Sequence, residues 1–219
     1  MPTRIDPAQI PAAPNLEFES VLWRQRIHLT AGLDEAGRGA WAGPVAAAAV
    51  ILPDDAKITE KLYRVRDSKE LTPLERERLA DRIQIYALAY ATGLASAEEI
   101  DTIGILPATR IAMTRALAGL ANRPDHLLID ALFLPDLAIP QTSLIKGDQR
   151  SLSIAAASIL AKTARDALMR AFDHEYPPYG FARHKGYGTR SHREAIERIG
   201  PCAIHRMSFS PLKEKSAGY

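Results

Sequence analysis

The sequence predicts a mixed α/β fold, in a chain whose 219 residues suit one domain with at most a small appendage. Three short apolar segments of strand length occur early in the chain, and two more occur later, separated by helix-forming segments. This order differs from the regular strand–helix alternation of a doubly wound sheet. We therefore expect a mixed sheet with helices packed on it.

The first half of the chain carries three predicted strands and a well-marked helix. The strands cover residues 28–34, 45–52 and 87–95. Thr72 and Glu75 form a capping box with Pro73 at the first helical position, which predicts a helix to about residue 85. A second capping box, Ser96 with Glu99, opens a short turn.

The second half alternates helices and shorter strands. Helical apolar spacing covers residues 107–120, and the apolar runs at 126–129 and 143–146 are predicted strands. An alanine-rich stretch predicts a long helix over residues 154–174. Ser191 and Glu194 form the cap expected for a last helix, which ends at Gly200.

Composition excludes several classes of protein. The single cysteine, Cys202, rules out an internal disulfide framework, and no segment approaches the roughly 20 apolar residues of a membrane helix. The first 20 residues contain four prolines and acids but no apolar core of a signal peptide. We therefore expect a cytoplasmic protein with no membrane association and a flexible N-terminal lead-in over residues 1–25.

Charge is distributed unevenly along the chain. The net charge is only +2, but residues 179–219 hold eight Lys/Arg against three Glu. A basic C-terminal segment beside a mildly acidic body is compatible with a surface that binds a polyanion. The alternative is an ordinary solvated, charged helix, and charge by itself does not separate the two.

Four acidic residues follow apolar strand candidates: Asp34, Glu35, Asp130 and Asp148. Carboxylates at the end of a buried strand are costly unless something compensates their charge. A divalent cation with a preference for oxygen ligands, such as Mg²⁺, supplies that compensation, and a pair of such ions can drive phosphodiester hydrolysis. The pattern is therefore compatible with a shared metal centre built from distant parts of the chain.

Each acid also has an ordinary alternative. Asp130 could simply end a strand, and Asp148 could sit in a turn with Gly147. Neighbouring side chains on a regular strand point to opposite faces, so Asp34 and Glu35 serve one centre only if the strand bends there. The glycines that follow allow such a bend.

Those glycines belong to the run Gly37-Arg38-Gly39, with Gly43 close behind. Glycine lets another molecule approach the backbone closely. The spacing is GxGxxxG and an apolar strand follows it, so the pattern is not a dinucleotide-binding loop; no GxxxxGK[ST] phosphate loop occurs either.

Five blocks of the sequence resemble the ribonuclease HII family, in the family's order. They span nearly the whole chain from about residue 30 onward: AGLDEAGRGAWAGPV at 31–45, DSKEL at 67–71, LLID at 127–130, KGDQRSLSIAAASILAKTARD at 146–166 and YGFARHKGYGT at 179–189. DEAGRG is a fairly specific pattern by itself, and five ordered blocks make chance similarity very improbable. The N-terminal lead-in lies outside the resemblance.

The resemblance implies a ribonuclease H-like mixed five-stranded sheet flanked by helices, with a C-terminal helical extension. Three antiparallel strands would precede two parallel ones. The implied organisation is a lead-in at 1–25, a catalytic core at 26–175 and a basic, substrate-binding extension at 176–219.

The resemblance also assigns roles to residues. The family's acidic tetrad corresponds to Asp34, Glu35, Asp130 and Asp148, which would hold Mg²⁺ or Mn²⁺. The loop of Gly37, Arg38 and Gly39 would sense a ribose 2′-hydroxyl through its backbone, and Tyr187 would pack on the following sugar. Lys69 and Lys162 would neutralise phosphates. Without the resemblance, Tyr187 is a packing tyrosine and Lys162 a lysine whose ammonium reaches solvent.

The implied activity is metal-dependent endonucleolytic cleavage of RNA in RNA–DNA hybrids and on the 5′ side of ribonucleotides in duplex DNA. Products would carry 3′-hydroxyl and 5′-phosphate ends, and the protein would act as a monomer. Two alternatives stay open: another nuclease or strand-transfer enzyme on the same fold, and a non-catalytic nucleic-acid-binding module. The GRG loop and the HKGY block argue against the first, and four intact carboxylates argue against the second.

Two positions depart from the family pattern. Ala40-Trp41 follows the GRG run and Gly188 follows Tyr187, at places where many relatives have proline. These departures bear on loop rigidity. The four later histidines are not spaced as a zinc site, and we expect surface or substrate-contact roles for them: His174, His184, His192 and His205.

Overall fold

The structure, a computed structural model, describes residues 5–213. The ends of the predicted lead-in (residues 1–4) and of the predicted extension (residues 214–219) lie outside the described residues. No helix in the described part of the chain is long and apolar enough to cross a membrane.

Five strands form one mixed sheet, as predicted. In chain order they are β1 Thr30–Ala36, β2 Val45–Ile51, β3 Ala89–Ala95, β4 His126–Asp130 and β5 Gln141–Leu144. Their spatial order is β3-β2-β1-β4-β5, with antiparallel pairing among the first three and parallel pairing of β1 with β4 and of β4 with β5. The central position of β1 brings the early acids beside the later strands.

Eight helices are found in the described residues: α1 Glu17–Arg24, α2 Ile58–Lys61, α3 Pro73–Tyr86, α4 Ala97–Ile103, α5 Ile105–Ala118, α6 Leu152–Glu175, α7 Phe181–His184 and α8 Arg190–Ile199. Both predicted capping boxes are present, at Thr72 and at Ser96. The second opens the seven-residue helix α4, where we expected only a short turn. Ser151 caps α6, so this helix begins two residues before its predicted start.

The sheet is covered on both faces. Helices α3 and α6 pack on one face through a cluster that includes Val50, Ile83 and Ile159, whereas α5 packs on the other through Leu33 and Met113. Small residues let the helices approach: a Cβ at Gly32 would overlap the α6 backbone, and one at Gly93 would overlap the α5 backbone. Strand β2 is rich in alanine and is buried along its whole length, because its small side chains also allow the helices to approach the sheet closely.

The expectation of a flexible lead-in is wrong for its second half. Helix α1 packs on the start of α6, with Trp23 buried in the core. Glu19 accepts hydrogen bonds from the hydroxyl groups of Ser151 and Ser153 at 2.6 and 2.7 Å and from the Ser153 backbone N–H at 2.9 Å. A proline count does not detect this contact, because the partners lie more than 130 residues away in sequence.

The C-terminal segment folds as helices α7 and α8, and its Phe181, Ile196 and Leu212 form a small hydrophobic cluster together with Ala42 and with Met169 of α6. Thr189 caps α8 by accepting from the His192 backbone N–H, so the predicted cap at Ser191 is wrong by two residues. Ser191 lies within the first turn of that helix instead.

Candidate active site

Asp34 and Asp130 lie at the same edge of the sheet because β1 and β4 run parallel. Leu33 pairs with Ile129, so the two aspartates occupy the next position of neighbouring strands. Asp34 is buried, and one of its carboxylate oxygens accepts from the Glu35 backbone N–H at 2.7 Å. The predicted convergence of carboxylates from distant parts of the chain is therefore present for this pair.

A tight turn brings Asp148 to Asp130. Strand β5 ends at Leu144, two residues before its predicted end, and Lys146 adopts a left-handed conformation that turns the chain into a short 3₁₀ helix, Gly147–Gln149. The Gly147 backbone N–H donates to the Asp130 carboxylate at 2.7 Å. Asp148 thus reaches the cluster from a buried turn rather than from the end of a strand.

Strand β1 does not bend at Glu35, contrary to the condition stated for a shared centre, but Glu35 lies close enough for its charge to raise the pKa of Asp34. Pairing of β1 with β2 stays regular through Ala36, whereas pairing with β4 ends at Leu33. One Glu35 oxygen accepts from Arg38 at 3.1 Å, and the other is buried with no partner in the described residues. A buried acceptor without a donor is unfavourable, and a bound cation would satisfy it.

The four carboxylates destabilise one another's ionised forms. Burial and then the charges of Glu35 and Asp130 hold the pKa of Asp34 well above its usual value, and burial is also the first cause that raises the pKa of Glu35. Burial, with the nearby acids second, raises the pKa of Asp130 and of Asp148 to about 6. Such mutual repulsion in a poorly solvated site is relieved by a cation.

The residues fit a hard divalent cation by their chemistry, because every candidate ligand is a carboxylate oxygen. As the side chains stand, no group of three or more His, Cys, Asp or Glu among residues 5–213 is arranged to hold a metal ion. Each acid instead has a partner in the protein. Asp34 accepts from the Glu35 backbone N–H, and Asp130 accepts from the Gly147 backbone N–H. Glu35 is paired with Arg38, and Asp148 is paired with Lys69.

A fifth acid, Asp67, was missed as a site residue although it lies in the DSKEL block. It is buried, caps the 3₁₀ helix Ser68–Glu70, and accepts from the Lys69 backbone N–H at 3.0 Å. Its charge contributes to the raised pKa values of Asp130 and Asp148. Asp67 does not follow an apolar run, so the sequence pattern that indicates the other four acids does not include it.

Lys69 lies beside the acids, with its ammonium 3.9 Å from the Asp148 carboxylate. Burial acts to lower its pKa, but the surrounding acids, Asp67 and Asp148 first, raise it overall. The side chain is otherwise largely exposed, so its ammonium group is accessible to a ligand.

Lys162 does not extend into solvent, as the alternative for a helical lysine would have it. Its ammonium donates to Asp166 at 2.5 Å and lies 5.6 Å from the centre of the Tyr187 ring. Asp166 also accepts a hydrogen bond from Arg76. Arg76 in turn donates to the Ser68 carbonyl at 2.5 Å. Arg76 and Asp166 therefore connect Lys162 to Ser68, the residue before Lys69. The sequence analysis predicts no role for Arg76 or for Asp166.

A cavity of about 530 Å³ lies beside these groups. Its lining includes Glu35, the loop 36–39, Lys69, Lys162 and Tyr187. All six residues proposed from the resemblance as substrate contacts therefore border one space. Of the four acids, Glu35 is the one that lines this cavity.

The glycine loop is held against a buried arginine. Gly37 has a φ of +93°, and a Cβ there would overlap the Arg165 side chain. The loop is tied to the tyrosine segment as well, since the backbone N–H groups of Trp41 and Ala42 both donate to the Gly186 carbonyl. The two departures also meet, because a Cβ at Gly188 would overlap the Trp41 ring.

Three of the four histidines form a buried cluster, so the expectation of surface or substrate-contact roles is wrong for them. His192 and His205 are joined through their Nε2 atoms at 3.0 Å, and His184 stacks on His192 with ring centres 4.4 Å apart. His192 also contacts the Tyr187 carbonyl at 3.0 Å. Of these four histidines, His174 is the exposed one.

Comparison with known proteins gives consistent matches. A family model described as Ribonuclease HII matches residues 31–212. The chain is 52% identical over 202 residues to the ribonuclease HII of Chloroflexus aurantiacus, covering 92% of this chain and 95% of that protein. It is 55% identical over 192 residues to the ribonuclease HII of Moorella thermoacetica, covering 88% and 91%.

Solved structures share the fold. The ribonuclease H2 of Pyrococcus horikoshii superposes with a TM-score of 0.69 at 25% identity, covering 84% of this chain and 95% of that one. The ribonuclease HII in a complex with PCNA from Archaeoglobus fulgidus gives 0.67 at 25% identity, covering 81% and 92%. A ribonuclease HIII in complex with Mn²⁺ gives 0.64 at 20% identity, covering 90% and 73%, and shares the fold alone.

Proposed function

The chain belongs to the ribonuclease HII family and is an endoribonuclease, and from that membership we propose that it cuts on the 5′ side of ribonucleotides embedded in duplex DNA. Cleavage of the RNA strand of RNA–DNA hybrids follows from the family. The proposed products are a 3′-hydroxyl and a 5′-phosphate.

One observation carries this proposal: four acids with raised pKa values, of which Asp34 and Asp148 are buried, lie close enough for their charges to act on one another, and Glu35 borders a cavity together with the glycine loop. Carboxylates by themselves repel a phosphodiester, so a purely binding role would leave them unexplained. Divalent cations held by these carboxylates would replace the repulsion of a phosphodiester by attraction. The same carboxylates would then contribute to hydrolysis.

We propose that Asp34, Glu35, Asp130 and Asp148 hold two Mg²⁺ or Mn²⁺ ions. When bound, such ions supply the Lewis acidity and the activation of water that phosphodiester hydrolysis requires. The protein's contribution is position: Gly147 N–H orients Asp130, and Lys69 beside Asp148 supplies a positive charge near the attacked phosphate.

The proposed substrate contacts lie around the same cavity. Lys69 and Lys162 would bind phosphates, and the exposed backbone of Arg38 and Gly39 would contact the ribose 2′-hydroxyl. Tyr187 would pack on the sugar of the next nucleotide. Its ring is already oriented by Lys162 and by Arg165, whose guanidinium carbon lies 5.4 Å from the ring centre.

We further propose that residues 176–219 form a substrate-binding extension on a core of residues 26–175, and that the enzyme works as a monomer. Exposed arginines on α7 and α8 favour contact with a nucleic-acid backbone: Arg183, Arg190, Arg193 and Arg198. Light scattering at working concentration would test the monomer directly.

The deciding experiment is digestion of a duplex that carries one ribonucleotide, with an all-DNA duplex as the control substrate. We expect cleavage only with Mg²⁺ or Mn²⁺, only at the ribonucleotide, and on its 5′ side. Cleavage of both duplexes would favour another nuclease on this fold, and binding without metal-dependent turnover would favour a non-catalytic module.

The matched protein control is Asp34→Asn, which keeps the size of the side chain. Its cleavage rate should fall by roughly 10³-fold or more, since a cation ligand is lost, while its melting curve stays cooperative. Near-normal cleavage by this variant would remove Asp34 from the site.

A further inference from the structure

Two arginines beneath the glycine loop are completely buried, and their arrangement is unusual. Arg165 and Arg206 have no exposed surface, and neither forms an ion pair with a carboxylate in the described residues. Burial, with the neighbouring charge of Arg165 second, lowers the pKa of Arg206 to about 9, which leaves the group charged at neutral pH. Buried charges without counterions destabilise the folded state, so a functional role is expected for these two arginines.

Both guanidinium groups bind backbone carbonyls of the two loops that border the cavity. Arg165 donates to the carbonyls of Pro44, Ala42 and Lys185 at 2.9, 3.0 and 2.9 Å. Arg206 donates to those of Gly43 and Arg38 at 2.9 Å each. Five peptide groups are thereby turned with their carbonyl oxygens toward the protein interior.

A trans peptide that points its carbonyl inward points the following N–H outward. Four of the five peptides offer no donor to a ligand: Gly43 N–H donates to the Ile204 carbonyl, Gly186 N–H donates to His184, Pro44 has no N–H, and Val45 lies in β2. The fifth is the Arg38–Gly39 peptide. Its Gly39 N–H has no partner in the described residues, and Gly39 is exposed in the cavity wall.

We infer that Arg206, supported by Arg165, is a positioning residue that fixes the Arg38–Gly39 peptide so that the Gly39 N–H is presented to the ribose 2′-hydroxyl. This inference rests on the proposed function, because it concerns how the same cavity distinguishes ribose from deoxyribose. Arginine suits the task because its planar fork binds two carbonyls at once, which a lysine ammonium on a flexible stem does not reproduce.

The test compares binding of two duplexes, one with a single ribonucleotide and one all-DNA, in Ca²⁺ to prevent turnover. Wild type should prefer the ribonucleotide duplex. Arg206→Lys should lose most of this preference, roughly tenfold or more, while affinity for the all-DNA duplex and the Kd for Mn²⁺ stay within about twofold. Arg115→Lys is the matched control, because Arg115 also donates to a backbone carbonyl, that of Leu94, away from the cavity.

Each other outcome is decisive. A wild type that shows neither a ribose preference nor cleavage at the ribonucleotide overturns the proposed function itself. If wild type behaves as expected, an unchanged preference in Arg206→Lys overturns the inference. An equal loss on both duplexes also overturns it, since the Gly39 N–H would then serve a phosphate or the arginine a general structural role.

Should Arg206→Lys not fold, replacement of Gly39 by glycolic acid decides the question. This backbone ester removes the N–H and leaves Arg206 and its contacts in place. Loss of the ribose preference supports the inference, and an intact preference refutes it.

Discussion

At the scale of single residues, the carboxylate cluster shows how environment sets chemistry. Asp130 and Asp148 are ordinary side chains whose pKa values rise to about 6 because burial and neighbouring acids penalise their charge. Asp67 adds to this penalty although it was not expected near the site. A bound cation would relieve the repulsion that raises these pKa values.

These shifts predict a pH-dependent metal affinity. A cation binds the deprotonated acids, so the affinity for Mn²⁺ should fall by about 10- to 100-fold when the pH drops from 7.5 to 5, through the pKa values near 6. In the metal-free protein the sign for stability is opposite: folded pKa values above the unfolded ones favour the folded state as pH falls from 6 toward 4. Mn²⁺ should therefore raise the melting temperature more at pH 7.5 than at pH 5.

Calorimetric titration and melting curves at both pH values measure these effects. Asp130→Asn is the matched control, since it removes one titrating group and should flatten the profile. A pH-independent Kd over this range would contradict the carboxylate assignment.

Tyr187 allows a second prediction at this scale. Tyr187→Ala should lower kcat/KM at a single embedded ribonucleotide by roughly 10- to 100-fold, because the sugar loses its packing surface, while hybrid binding changes far less. Tyr187→Phe keeps the ring and should retain most activity. If cleavage and binding fall equally in Tyr187→Ala, the ring has only a general packing role.

At the scale of elements, helix α1 supports the turn that carries Asp148. Asn15 accepts from the Leu152 N–H and donates to the Arg150 carbonyl, so the chain leading into α1 lies along the chain that leaves the turn. Glu19 then binds the first residues of α6. An element outside the family-matched residues 31–212 thus contacts the scaffold of the site.

Glu19→Ala should reduce the free energy of unfolding by about 2–4 kcal/mol, because Ser151 and Ser153 would keep buried donors without their carboxylate acceptor. Urea unfolding measures the change. Glu17→Ala is the control on the same helix, since Glu17 is exposed and should shift stability by less than about 0.5 kcal/mol. A Glu19→Ala variant as stable as this control would show that α1 adds little.

At the scale of the whole molecule, the docking of the C-terminal segment depends on neutral histidines. Burial, as the first cause, lowers the pKa values of His192 and His205 to about 4. Their Nε2 atoms are 3.0 Å apart, so both cannot carry a proton in this arrangement. The cluster lies directly behind Tyr187, and Trp41 from the glycine-loop segment packs on His192 with ring centres 5.7 Å apart.

We expect acid to loosen this contact. Because the folded pKa values lie below the ordinary value of 6.5, the stabilisation is fully present above pH 6.5 and is lost as pH falls toward 4. The carboxylates act in the opposite sense over this range, so a local probe is needed. Trp41 fluorescence in a Trp23→Phe background should change between pH 6.5 and 4, and His174→Gln should not alter that change. A flat signal would contradict the neutral-histidine account.

The sequence by itself determined the element types and the mixed sheet, and it indicated candidate acids. Helix caps and apolar runs act over a few residues, and Thr72 and Ser96 behave as their capping boxes predict. Asp34 and Asp130 are also found by a local pattern, an acid after an apolar run, and the structure brings them to the same edge of the sheet. Errors of such local patterns are local as well. The predicted cap of α8 is Ser191, but the cap in the structure is Thr189, whose hydroxyl accepts from the His192 N–H.

Only the tertiary structure decided which distant groups share a space. The contacts of Glu19 with Ser153, of Arg206 with Arg38 and of Lys162 with Tyr187 join residues with no common periodicity. Burial also decided protonation: the histidines expected at the surface became a neutral core because a hydrophobic cluster closed around them. Pairing and desolvation depend on the whole packed chain, and a pattern along the sequence records neither.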